Sequence, residues 1–223
     1  MKKAINLISL FLVSSLFLLA ASVSTVGVPH PSGSAYIETY AHRGARAFSP
    51  ENTPPSYATG LAVGTNWVDC DVSITKDGVI IVDHDAFLNP DIVSIHGTFW
   101  ATSKGNSVKT LSSLSGGFQQ NIQPYLVKNL TLAQIQSYEM GIINPSSPYA
   151  SYFPDQYNVV NTTMPTLQEV VDYVDTTTNN HVNFQIEIKN DPTNPSLTVS
   201  PLEFATKLNA FIIQNNLQKR VEI

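Results

Sequence analysis

The chain has one cysteine, Cys70, in 223 residues, so no disulfide can form within it and its stability must come from packing, bound metal or partners. Basic residues are also few. Twelve Lys and Arg against seventeen Asp and Glu leave a formal charge of -5, with no basic run and no interleaving of basic and aromatic side chains that would neutralise a nucleic-acid backbone. Nucleic acid is therefore not an expected partner. There is no internal repeat, and the longest apolar run, Ile5 to Leu19, falls short of the ~20 residues that a membrane-spanning helix needs.

That run follows Lys2 and Lys3 and ends in Ala20, Ala21 and Ser22, the pattern of a cleaved export signal. Residues 1–22 are read as the signal, and no cysteine stands at its boundary to carry a lipid. The expectation is a periplasmic or secreted protein with no stable membrane anchor after cleavage. Residues 23–36, small and proline-containing, read as a flexible lead-in. What remains, 37–223, is enough for one domain.

Within it, short strands are expected at Ile37–Ala41, Trp67–Val72 and Val79–Val82, with Lys76-Asp77-Gly78 as the turn between the last two. A helix is expected over Asn52–Ala62, its two prolines confined to the first turn. Only twelve residues separate Asp71 from His84, too few for a crossover helix, so this corner breaks regular strand–helix alternation. Residues 86–164 are rich in Ser, Asn, Gly and Pro and read as an insertion, with a short helix at Leu132–Met140 opened by Thr131. Regularity returns with Thr166 and Glu169 as a capping box before a helix, a strand at Val182–Lys189, a helix from Pro201 to Asn215 and a new strand at Arg220–Ile223. The alternation points to an α/β fold with a mostly parallel sheet.

Side chains two apart on a strand share a face, so Asp69 and Asp71 project together while Cys70 points into the core. Glu187 and Lys189 likewise share a face of a strand whose alternate members are apolar. Burying unpaired carboxylates costs several kcal/mol or more. A hard cation such as Mg²⁺ or Ca²⁺ would offset that cost, and three carboxylates from two strands are ligands it prefers. Taken singly, each feature has a plainer reading: a solvated D-x-D, an ordinary Glu187–Lys189 ion pair, an Arg43 salt bridge. Together they suggest a site.

His42 and His84 each end an apolar strand, and displacement at phosphorus needs both a proton acceptor and a proton donor. Arg43, beside His42, has the planar fork that suits phosphate oxygens. His30, His96 and His181 receive no role. Gly44 and Gly78 read as backbone requirements, and Glu51 as either a first-turn acid favoured by the helix dipole or a support to the carboxylate cluster.

These stretches, His42-Arg43-Gly44 with Pro50-Glu51-Asn52-Thr53, Asp69-Cys70-Asp71, Thr75-Lys76-Asp77-Gly78, His84-Asp85 and Glu187-Ile188-Lys189, resemble in order the glycerophosphodiester phosphodiesterase family. Leu130–Gly141 and Pro165–Val171 resemble it too, so the likeness runs from about Ile37 to the last residue. The resemblance implies a (β/α)₈ TIM-barrel-like fold with its site at the C-terminal ends of the strands. It implies His42 and His84 as the acid/base pair, Arg43 and Lys189 as phosphate contacts, and Asp69, Asp71 and Glu187 as ligands of a divalent metal, Ca²⁺ or Mg²⁺. Asp69 stands where the family usually has glutamate. The implied reaction splits a small-molecule glycerophosphodiester into glycerol phosphate and an alcohol, a step of glycerophospholipid metabolism.

A barrel of this kind typically needs ~250 residues, so the expectation is an incomplete one, about the first half plus the insertion, with Arg220–Ile223 beginning a fifth strand. An unclosed barrel would expose sheet edges and an apolar interior. Two other readings stay open at this point: an inactive remnant that binds a phosphodiester without turning it over, and a phospholipase-D-type enzyme acting on lipid head groups.

Overall fold

Alternate apolar residues in two long strands set the architecture. The computed structural model describes residues 37–95, 97–99 and 122–223. The elements in chain order are β1 (Tyr40–Ala41), α1 (Pro54–Ala62), β2 (Trp67–Ile74), β3 (Ile80–Val82), β4 (Ser94–Ile95), β5 (Thr98–Phe99), α2 (Leu132–Ile135), α3 (Leu167–Thr178), β6 (Asn183–Ile188), α4 (Pro201–Gln214) and β7 (Val221–Glu222). Strands β1, β2, β6 and β7 lie side by side in that order, each parallel to the next. This is the progression of a (β/α)₈ barrel, incomplete among the described residues. The export signal, the lead-in, His30 and His96 lie outside those residues.

One face of the sheet is apolar. Val68, Cys70, Val72, Phe184 and Ile186 pack against Tyr57 of α1, Leu167, Val170, Val171 and Val174 of α3, and Phe204, Leu208 and Ile212 of α4. Each such side chain, fully buried, contributes ~1.5–3 kcal/mol. Burial of Cys70 in this layer holds its thiol well above the ordinary range, so it is core.

By the same alternation Tyr40, Trp67, Asp69, Asp71, Asn183, Gln185, Glu187 and Glu222 point the other way. The barrel-side face was expected to be apolar, and it is polar. Tyr40 stacks on Trp67 with ring centres 5.5 Å apart, and both the Tyr40 hydroxyl and the Gln185 amide reach Glu222 at 3.4 Å. Polar groups paired with one another tolerate water where a row of leucines would not.

Strand β3 turns back antiparallel on β2 through the Thr75–Val79 turn, with Gly78 at φ +81, so the expected break in alternation is present. A consequence is that β7, expected as a fifth strand of the series, is the fourth of the parallel order. Over β3, Ile81 anchors a second apolar cluster with Leu88, Ile92, Val93, Ile135 and Met164, which roofs this end of the sheet with the chain between β3 and α3. Helix α2 stops after one turn instead of running to Met140, because Glu139 exchanges backbone hydrogen bonds of 2.8 Å with Ser94 and is drawn out of the helix. The capping boxes of α2 (Thr131, Gln134) and α3 (Thr166, Glu169) fix where both helices start.

Candidate active site

The site is built where β1, β2, β3 and β6 end. After β1 the chain makes a tight loop in which Arg43 takes a left-handed conformation (φ 52) and Gly44 follows at φ +84. Ser56, in the first turn of α1, straps this loop down: its hydroxyl donates to the Arg43 carbonyl (2.9 Å) and accepts from the Ala45 N–H (2.6 Å). A β-carbon on Gly44 would lie 2.4 Å from that hydroxyl. Gly44→Ala is therefore expected to cost ~1–3 kcal/mol in left-handed strain alone, read as a lowered urea midpoint, with the clash against Ser56 added to it.

Inside the loop, Asp71 is the electrostatic centre. Its side chain is 1% exposed; Oδ2 accepts from Asn52 Nδ2 (2.9 Å) and lies 3.1 Å from Arg43 Nε, and Oδ1 lies 2.8 Å from Lys189 Nζ. Burial raises its pKa, but Arg43, Lys189 and His84 outweigh that and hold Asp71 below the usual carboxylate range. Asp69 has no such company. Burial and the neighbouring charge of Asp71 push it up to about 6, against the Arg43 N–H that it accepts at 3.0 Å.

Arg43 is itself buried, its side chain 12% exposed, and Nη1 donates to Glu51 Oε1 at 2.8 Å. Burial opposes its charge, and Glu51 and Asp71 more than restore it. Glu51 lies before the N-cap Thr53, so it is not a first-turn acid of α1; it supports the site by bonding Arg43 and accepting the Tyr149 hydroxyl. Lys189 bridges Asp71 and Glu187, and Glu187 opens to solvent with 59% of its side chain exposed.

The sequence expectation of one carboxylate cluster on one face is thus met in facing but not in contact. Asp71 stands directly opposite Glu187 in the β2–β6 register, yet its oxygens are held by Arg43, Lys189 and Asn52, and the Glu187–Lys189 pair is the ordinary ion pair that the strand pattern also allowed. Among the described residues no three His, Cys, Asp or Glu side chains converge closely enough to enclose a metal ion. The donor set itself, three carboxylates on one face of adjacent strands, has the oxygen chemistry that a hard cation takes.

The histidines lie on two adjoining cavities. His84 Nδ1 is 3.0 Å from Asp85 Oδ1, and Asn89 Nδ2 donates to Asp85 Oδ2 at 2.7 Å, so Asp85 fixes the ring and leaves Nε2 as the outward nitrogen. His84 lines a cavity of about 450 Å³ together with Arg43, Glu51 and Tyr149. His42, 57% exposed with Nε2 3.9 Å from Asp69 Oδ2, lines a second cavity of about 420 Å³, and Arg46 and Phe153 border both. Partial burial lowers the pKa of His42, and the charges of Arg46 and Arg43 lower it further.

Residues 42–221 match the model of the glycerophosphoryl diester phosphodiesterase family. The chain belongs to that family. It is 29% identical over 163 residues to the glycerophosphodiester phosphodiesterase of Bacillus subtilis (strain 168), covering 72% of this chain and 43% of the relative. A solved structure of the same family from Silicibacter pomeroyi DSS-3 superposes with a TM-score of 0.67 at 24% identity, over 86% of this chain and 57% of that one. The glycerophosphodiester phosphodiesterase of Agrobacterium tumefaciens str. C58 gives a TM-score of 0.50 at 18% identity, over 83% and 56%. These structures share its fold, and the chain spans about half the length of the relatives it matches.

For a phosphodiesterase-family site, sequence reasoning missed four contributors. Asn52 lies within Pro50-Glu51-Asn52-Thr53, and a left-handed asparagine (φ 54) bonded to Asp71 is a role its residue type permits. Tyr149 reaches Glu51 across 98 residues, from a segment with no periodicity to mark it. Asp85 stands out in the sequence only as the neighbour of His84. Asp83, fully buried, has its carboxyl pushed far above the usual range by burial and then by Asp85. The Nδ1 of His181 bonds the Thr178 carbonyl at the end of α3.

Proposed function

We propose that the protein hydrolyses glycerophosphodiesters to glycerol phosphate and an alcohol, with His42 and His84 as the proton-transfer pair. The observation that carries this reading is that His84 lines one cavity with Arg43 and His42 lines an adjoining one, with Arg46 bordering both, in a chain of this family. One histidine takes a proton from the attacking water as its oxygen bonds to phosphorus. The other gives a proton to the alcohol oxygen as its bond to phosphorus breaks. Arg43 and Lys189 supply positive charge beside the phosphate. Asp69, Asp71 and Glu187 would hold a divalent cation, Ca²⁺ or Mg²⁺, which when bound supplies charge stabilisation at a phosphoryl oxygen. The N-terminal pattern supports action outside the cytoplasm, on diesters derived from glycerophospholipids.

The test is release of glycerol phosphate from glycerophosphocholine by the purified chain, with added Ca²⁺ or Mg²⁺ and again with a chelator. Metal-dependent release is expected. A folded, soluble sample that binds the diester without turning it over would overturn hydrolysis in favour of a binding role. Glu187→Gln is expected to raise the metal concentration needed for half-maximal activity by about 10-fold or more; an unchanged metal titration removes Glu187 from the ligand set.

A further inference from the structure

The motif His42-Arg43-Gly44-Ala45-Arg46 holds two guanidinium groups, and the structure treats them differently. Arg43 is committed: its fork faces Glu51 and Asp71, and little of it reaches solvent. Arg46 is not. Its side chain is 26% exposed, and its nearest carboxylate oxygen, Glu51 Oε2, is 4.0 Å away and already accepts the Tyr149 hydroxyl. Among the described residues the Arg46 guanidinium donates no hydrogen bond. It is nevertheless fixed in place. Cζ lies 5.0 Å from the centre of the Phe153 ring, and the Arg46 carbonyl accepts from Gln156 Nε2 at 2.7 Å. Phe153 is in turn braced by Tyr149, with ring centres 4.9 Å apart.

We infer that Arg46 is a further substrate-binding residue of this site, presenting its free N–H groups to the phosphate oxygens of the diester from a position fixed by Phe153. The inference rests on the phosphodiester reading above. Three observations point to it: Arg46 borders both the cavity of His84 and that of His42, its N–H groups are unspent, and the aromatic ring beneath it removes the rotamer freedom that a solvated arginine would lose on binding. A guanidinium held over a ring by cation–π attraction spends none of its N–H groups on that contact, and these are what pair with phosphate. The segment carrying Tyr149 and Phe153 thereby becomes part of the binding wall, which explains why it reaches back to Glu51.

The test is calorimetric titration of sn-glycerol 3-phosphate into the full chain and its variants, with the unfolding midpoint of each measured alongside. Arg46→Ala is expected to weaken affinity by about 10- to 100-fold, the range for losing a charged hydrogen-bond partner. Arg46→Lys keeps the charge without the fork and is expected to recover only part of that loss; Phe153→Leu, which frees the arginine, is expected to lose several-fold. Arg46→Ala with parental affinity and a parental midpoint overturns the assignment. Should Arg46→Ala fail to fold, Arg46→Lys decides, and full parental affinity in it overturns the fork. A parent chain that does not bind glycerol phosphate sinks the phosphodiester reading itself, and this assignment with it; that outcome is distinguishable because it appears before any substitution is made.

Discussion

Replacing His84 or His42 with alanine is expected to lower turnover of glycerophosphocholine by ~10²–10⁴-fold, the range for removing a general acid or base. A loss of that size can also come from disturbed structure, so a second substrate separates the causes. A glycerophosphodiester of p-nitrophenol releases p-nitrophenolate, a stable anion, when the P–O bond breaks, and so needs no proton at the departing oxygen. The alanine variant of the histidine that acts as acid should recover most of its rate on that ester, while the variant of the base should stay impaired on both. Disturbed structure would slow both substrates alike in both variants. Asp85 sharpens the expectation for His84, since its contact with Nδ1 orients the ring. Near-parental rates in both alanine variants would remove the histidines from the chemistry.

What the sequence made legible was whatever local pattern determines. The capping box of Thr166 and Glu169, the apolar face of Val68, Cys70 and Val72, and the turn at Gly78 all depend on neighbours within a few residues, and each is present. The polar face was equally written in the alternation of Asn183, Gln185 and Glu187 with Phe184, Ile186 and Ile188, although a generic barrel would have had an apolar interior there. Lost to the sequence was whatever distant chain decides. Helix α2 ends early because Ser94 claims Glu139, and Tyr149 completes the site from a segment whose composition carries no period. The candidate residues share one end of the sheet because the strands that carry them lie side by side. Their pairing was not legible, because whether a carboxylate meets a cation or a lysine depends on side-chain placement that residue type leaves open.

That pairing carries the second large effect. Asp71→Ala is expected to destabilise the fold by ~3–5 kcal/mol, as for breaking a buried ion pair from one side. Asp71 touches Arg43, Lys189 and Asn52 at once. With it gone, Arg43 keeps Glu51 and Lys189 keeps Glu187, which is open to solvent, as their carboxylate partners among the described residues. Both cations remain mostly buried, and the Asn52 amide loses its acceptor. The measurement is the urea midpoint at unchanged slope. Lys189→Met supplies the control. If stranded charge is the cause, the double variant should be less destabilised than the sum of the two single ones, because the methionine removes the ammonium that Asp71→Ala leaves uncompensated. Strict additivity would mean that Lys189 escapes to water once Asp71 is gone, and a loss below ~1 kcal/mol would mean the same of Arg43. The same residue thus binds the loop after β1 to the end of β6 and holds Arg43 and Lys189, the cations proposed to stand beside the phosphate. Substitution of Asp71 should therefore remove stability and activity together, whereas substitution of His42 should remove activity alone.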